Sequence, residues 1–195
     1  MTTENKPGVT RERLSDTLSQ ILAVWEPKFP YRLVGTAAAL LQGVALPVRD
    51  IDILCREREA VDQFAAAMAG FPALQEPAWL AGDRQYYCNY DVAGVEVGAS
   101  TVEVDVSHDT AETLGAGPWR HFREVRVGEH RVPAVRLELR LASEILRRRR
   151  DRSERLASFL RSHGCDTRLV ARALSNAGVP RRTRERTLAA LTAEH

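Results

Sequence analysis

The chain has 195 residues, enough for one substantial domain with a small appendage, and 44% hydrophobic with 28% charged residues is the balance of a globular protein. No run of about eighteen apolar residues occurs, which argues against a membrane span. MTTENKPGVTRER at the N-terminus lacks the apolar middle of a secretory signal, so a cytoplasmic protein with a disordered lead-in over residues 1–10 is expected. The net charge of +2 hides an uneven distribution: Lys6 and Lys28 are the only lysines, and the arginines concentrate after residue 120, which leaves a nucleic-acid role open. Cys55, Cys88 and Cys165 are scattered without CxxC spacing, so they read as buried thiols rather than a disulfide framework or a zinc site.

Residues 11–26 carry Leu14, Leu18, Ile21, Leu22 and Trp25 at helical spacing, and Pro27 and Pro30 end that helix. A short apolar strand from Tyr31 to Gly35-Thr36 follows, then a small-residue helix over 37–43 and a loop through Pro47. The next strand places Asp50 and Asp52 on one face and Ile51 and Ile53 on the other. A helix over 56–70 turns Val61, Phe64, Ala65 and Met68 inward, and a proline-bearing connector spans 71–83. Strands over 84–92 and 94–97 form a hairpin at Ala93-Gly94, and TVEVDV at 101–106 alternates, with Glu103 and Asp105 opposite three valines. A loop over 109–119 precedes two strands, 121–127 and 130–135, joined by Gly128-Glu129. Four helices follow from Leu137, the third capped by Asp166. The class is α+β: a core over 11–135, with a mixed sheet backed by helices on one face, then a helical region over 136–195.

Two carboxylates fixed side by side repel, and the Asp50/Asp52 pair suits a divalent cation between them. Gly35-Thr36, at a strand end and helix start, offers backbone N–H groups to an anion. Gly35-Thr36 followed by Asp50-x-Asp52 is the order in which a phosphate loop and a metal site share one triphosphate.

These residues resemble the nucleotidyltransferase superfamily, whose fold is shared with DNA polymerase beta. Its pattern is an apolar residue, Gly, then Gly/Ser/Thr, a helix, and an acid-x-acid strand flanked by apolar residues. Within it, GTAAALLQGVALPVRDIDIL looks most like the AbiEii and MenT type IV toxin branch, and RRRRDRSERLASFL from Arg147 is similar to the helical tail of such proteins. The resemblance implies transfer of an NMP from an NTP with release of pyrophosphate, assisted by two Mg²⁺ ions held by three carboxylates. Asp50 and Asp52 are two of these; Glu103 is the first choice for the third, Asp105 the next and Glu96 the last. Gly35 and Thr36 then face the phosphates, and Arg140 stands as a cation on the first tail helix, where many members carry lysine. The toxin branch further implies tRNA or another RNA as acceptor and a cognate antitoxin. Transfer to an aminoglycoside or lincosamide antibiotic, and a non-catalytic nucleotide- or RNA-binding module, stay open beside it.

Weaker features are Trp119, His121 and Phe122, which suit either a base-stacking surface or an anchored loop, and His108 after the acidic strand. Arg147 to Arg150 read as one helical turn, of which one or two residues reach phosphate, and PRRTRER near the C-terminus is a solvated or RNA-facing run.

Overall fold

Tyr31–Val34 (β1) runs directly into Gly35–Leu41 (α2), and the chain returns as Asp50–Cys55 (β2), antiparallel to β1 with Val34 level with Asp52. This hairpin-like unit is the middle of the computed structural model, which describes residues 8–103, 108–113 and 116–192. The remaining strands are Ala73–Leu80 (β3), Gln85–Val92 (β4), Val95–Ser100 (β5), Phe122–Val127 (β6) and His130–Val135 (β7). Together they make one mixed sheet in the order β3-β4-β5-β2-β1-β7-β6, with β2–β5 and β1–β7 parallel. The fold class is therefore α+β.

Arg11–Val24 (α1) and Arg58–Ala67 (α3) cover one face of the sheet. Thr10 caps α1 by accepting from the Arg13 N–H, and Leu14, Leu18 and Ile21 form its buried stripe. Trp25, just past its end, meets the Phe64 ring of α3 edge-on at 5.0 Å, and Phe64 meets Tyr90 of β4 at 6.2 Å. Ile51, Ile53, Val97 and Ala99 point into this layer, which leaves the alternate side chains of β2 and β5 on the opposite face. Val9 belongs to the lead-in read as disordered, but it is buried and its N–H donates to the Val48 carbonyl; residues 1–7 lie outside the described residues.

Beyond β7, Leu137–Leu146 (α5), Arg150–His163 (α6), Thr167–Asn176 (α7) and Arg181–Thr192 (α8) pack on one another, and α5 also touches α2. Asp166 accepts from the Leu169 N–H, the cap read from sequence. Gly117–Arg120 (α4) is a single turn inside the stretch read as a loop. Among the described residues no helix is long and apolar enough to cross a membrane.

Other expectations are corrected as well. The connector 71–83 contains β3, an edge strand whose register slips between Ala73 and Gln75 and again between Gln75 and Ala78; Pro77 sits in the second irregularity, where no ladder donor is needed. The strand beside the acids is Val95–Ser100 rather than 101–106: Thr101 turns its N–H back to the Tyr86 carbonyl, and residues 104–107, with Asp105, lie outside the described residues. Arg147 to Arg150 are not one helical turn. Arg148 takes a positive φ of 56°, so Arg147 ends α5, Arg149 precedes α6, and the side chains fan apart.

Phe64, fully buried between Trp25 and Tyr90, anchors the helix layer, and Phe64→Ala should lower the unfolding free energy by about 3–5 kcal/mol in urea titration.

Candidate active site

Asp50 and Asp52 leave β2 on the face away from α1 and α3. β5 runs parallel beside them, with Asp50 level with Glu96 and Asp52 level with Gly98. The Tyr87 ring of β4 lies over Gly98, where a Cβ would come within 2.9 Å of ring carbon Cε2. Burial, reinforced by Asp52 and more weakly by Glu96 and Asp50, pushes the Tyr87 phenol up to about 12.

From the other side β1 delivers Gly35, whose φ is +73° and where a Cβ would stand 2.8 Å from Asp52 Oδ2. Both the left-handed backbone and the approach of the carboxylate therefore require glycine. Solvent reaches Asp52 at the cleft mouth, yet protein crowds most of its surroundings. That desolvation, then the charges of Asp50 and Glu112, push its carboxyl up from 3.8 to about 6, against the pull of Arg140 and Arg147.

The acids form one wall of a cleft of about 530 Å³. Gly35, Thr36 and the predicted Arg140 line it, and Pro47, Arg49, Arg147, Arg149 and Arg152 line the rest, with Asp151 among them. Arg148 and Arg150 do not line it, and Arg150 pairs instead with Glu154 at 2.7 Å.

Behind the cleft lies a buried ionic network. Glu112 Oε1 accepts from the Gly35 N–H at 3.0 Å, and both Glu112 carboxylate oxygens accept from Arg140 Nη1 at 3.0 Å. Arg140 Nη2 donates to Glu144, which is fully buried, and Arg149 and Arg152 approach Glu144 at 3.9 and 3.8 Å. Two donors expected to face phosphate, the Gly35 N–H and the Arg140 guanidinium, are thus held by an internal carboxylate. The sequence reading marks neither glutamate. Glu144 carried a signal, an acid four residues after Arg140 on the same helix, whereas Glu112 lies in an irregular stretch with none.

Glu103 is not brought to the cleft. It accepts from both Arg58 Nε and Nη2 at 2.6 Å, on the α3 side of the sheet, which holds its carboxyl below the usual range. Glu96 is the acid that register sets beside Asp50. Among the described residues no cluster of three His, Cys, Asp or Glu side chains forms a metal cage. Asp50 and Asp52 nonetheless suit a hard divalent cation: two oxygen donors on one face, one of them made reluctant to ionise by desolvation and then by the charges of Asp50 and Glu112.

Trp119 and Phe122 anchor a loop. The Arg32 guanidinium lies 3.8 Å from the Phe122 ring centroid and 5.5 Å from that of Trp119, and donates to the Pro118 and Trp119 carbonyls. His121 pairs with Asp109 at 3.6 Å.

No family model and no curated protein matches the sequence. Solved structures do match. A protein of Thermotoga maritima described as a candidate nucleotidyltransferase superposes with a TM-score of 0.58 at 17% identity, over 82% of this chain and 100% of its own. The chain has the nucleotidyltransferase fold. An antigenic nucleotidyltransferase-like protein of Paracoccidioides brasiliensis (13% identity, 92% of each chain, TM-score 0.48) and the antibiotic-resistance factor ANT(2'')-Ia (15% identity, 93% of this chain and 92% of its own, TM-score 0.47) are more distant likenesses.

Within this nucleotidyltransferase fold the buried network makes a sharp demand. Arg140→Met strands Glu112 and Glu144 without their shared cation and should cost about 3–5 kcal/mol in chemical denaturation, much of it recovered only when Glu112→Gln and Glu144→Leu are both added. Asp52 gives a pH test. Because its folded pKa of about 6 lies above the unfolded value near 3.8, the folded state bears the cost of an ionised Asp52 above pH 6. The cost is relieved as pH falls from about 6 to about 4 and is absent below. Asp52→Asn should therefore melt higher than wild type at pH 7.5, with the difference shrinking to nothing near pH 4 in thermal scans without metal.

Proposed function

We propose that this protein is a metal-dependent nucleotidyltransferase, moving an NMP from an NTP to a hydroxyl acceptor. The observation that carries the reading is a single cleft with Asp50 and Asp52 on one wall and Arg49, Arg147, Arg149 and Arg152 around the rest. Paired carboxylates suit the cations that accompany a triphosphate, and guanidinium forks suit its oxygens.

Asp50 and Asp52 would hold Mg²⁺, and register makes Glu96, rather than Glu103, the better candidate for the third carboxylate. Mg²⁺, when bound, supplies Lewis-acid stabilisation of charge on the transferring phosphoryl group. The chain's own contribution is positional. Glu144 holds Arg149 and Arg152 toward the cleft, and these with Arg147 orient the triphosphate and offset charge on the leaving pyrophosphate. The acceptor oxygen attacks the α-phosphorus, its proton passes to solvent, and the bond from the α-phosphorus to the α,β-bridging oxygen breaks as pyrophosphate leaves.

For the acceptor we favour tRNA or another RNA, as the toxin-branch resemblance implies, because arginines outnumber aspartates in the cleft lining. A cognate antitoxin belongs to that reading. One observation favours a second reading, a nucleotide-binding module without turnover: Glu112 already occupies the Gly35 N–H and Arg140.

Incubation with Mg²⁺ and each of four α-labelled NTPs, offering total tRNA, protein and a panel of hydroxylated antibiotics, tests both. Label should pass to RNA, and Asp50→Ala with Asp52→Ala should abolish it. NTP binding without labelling of any acceptor supports the module, and absence of metal-dependent NTP binding removes the enzyme.

A further inference from the structure

Beside the phosphate-sized cleft lies a second cavity of about 280 Å³, between residues 108–113 and helices α5 and α7. Its walls are Leu139, Ala142 and Leu146 of α5 and Ala173 of α7, with His108 and Asn176 supplying polar edges. Arg147 lines both cavities, and the Glu112–Arg140 pair stands between them, Glu112 on one side and Arg140 on the other. Resting on the nucleotidyltransferase reading, we propose that this cavity receives the nucleobase of the NTP whose phosphates occupy the cleft.

Three features support a flat, uncharged ring there. The size lies just below the roughly 300–1,000 Å³ typical of whole small-molecule sites, so it suits one ring system whose remainder sits elsewhere. The charge also fits: apart from Arg147 at the junction, the ionic group in the wall is Glu112, already neutralised by Arg140, so neither a cation nor a second phosphate is favoured. Leu146 is 55% exposed, an apolar side chain at the lip that an aromatic face would cover.

The wall is also preformed. Asp109 pairs with Arg172 at 3.1 Å, Asn176 donates to Thr110 at 2.9 Å, and Glu112 is clamped by Arg140, so 108–113 is fastened to both α5 and α7 before any ligand arrives. An acceptor hydroxyl is poorly served by this cavity, because it must reach the α-phosphorus opposite the leaving pyrophosphate, on the Asp50/Asp52 side.

Calorimetric titration of the full chain with Mg·NTP and with Mg·tripolyphosphate, which lacks a base, tests the assignment. Wild type should bind at least one NTP about tenfold or more tightly than tripolyphosphate. Ser143→Phe, which fills the cavity from a half-buried position, and Leu146→Ser, an exposed change that leaves the core untouched, should each lose that advantage while keeping tripolyphosphate affinity. Equal binding of NTP and tripolyphosphate by wild type would overturn the base site and leave the transferase reading standing. So would variants that bind NTP as wild type does, or that lose both ligands in parallel. Wild type binding neither ligand would sink the transferase reading and the base site with it.

Discussion

Everything at the cleft depends on one buried cation. The Arg140 guanidinium, on the first helix after the sheet, is held by Glu112 from the preceding irregular stretch and by Glu144 one turn along its own helix. Glu112 also accepts from the Gly35 N–H, so one ionic cluster ties the end of β1, the stretch before β6 and the helical region together. A buried ion pair gives little net stability over an apolar replacement, but removing one member leaves a charge without water or partner. The cluster therefore works chiefly as a locator. It fixes where the helical wall stands relative to Asp50 and Asp52, and the cleft has its width for that reason.

This cluster also changes the meaning of the glycine turn. A strand-to-helix turn at Gly35 invites an external anion by its backbone dipoles, and here an internal carboxylate has accepted the invitation. Arg49, Arg147, Arg149 and Arg152 are the cleft cations that the proposed reading leaves for a triphosphate, and Glu144 lies within 4 Å of two of them, Arg149 and Arg152. In the proposed transferase, recognition of phosphate would rest on the helix junction rather than on the turn.

Much of the architecture was legible because it rests on periodicity. Leu14, Leu18 and Ile21 mark α1, the Asp-Ile-Asp alternation marks β2, and Ala93-Gly94 marks the β4–β5 turn. What escaped was non-local. Pro77 argues against a strand until an edge with register slips can accommodate it. Glu103 has the alternation of a sheet residue, but the strand stops at Ser100 and Arg58 captures the carboxylate on the other side. Arg147 to Arg150 match a helical turn in composition, and only the left-handed Arg148 parts them. At the site, the acid pair was readable from spacing, while Glu112 comes from a segment 77 residues from Gly35 and no local pattern announces it.

The irregular edge strand has a consequence for how the molecule meets other chains. With Pro77 and two register slips, β3 offers a broken row of backbone donors and acceptors, and the opposite edge, β6, carries charged side chains at Arg123, Glu124 and Arg126. Both borders of the sheet are thus poor templates for strand addition, the route by which many sheets dimerise or aggregate. Association with another macromolecule is directed instead to side-chain surfaces, where charge and shape rather than backbone pairing decide the match.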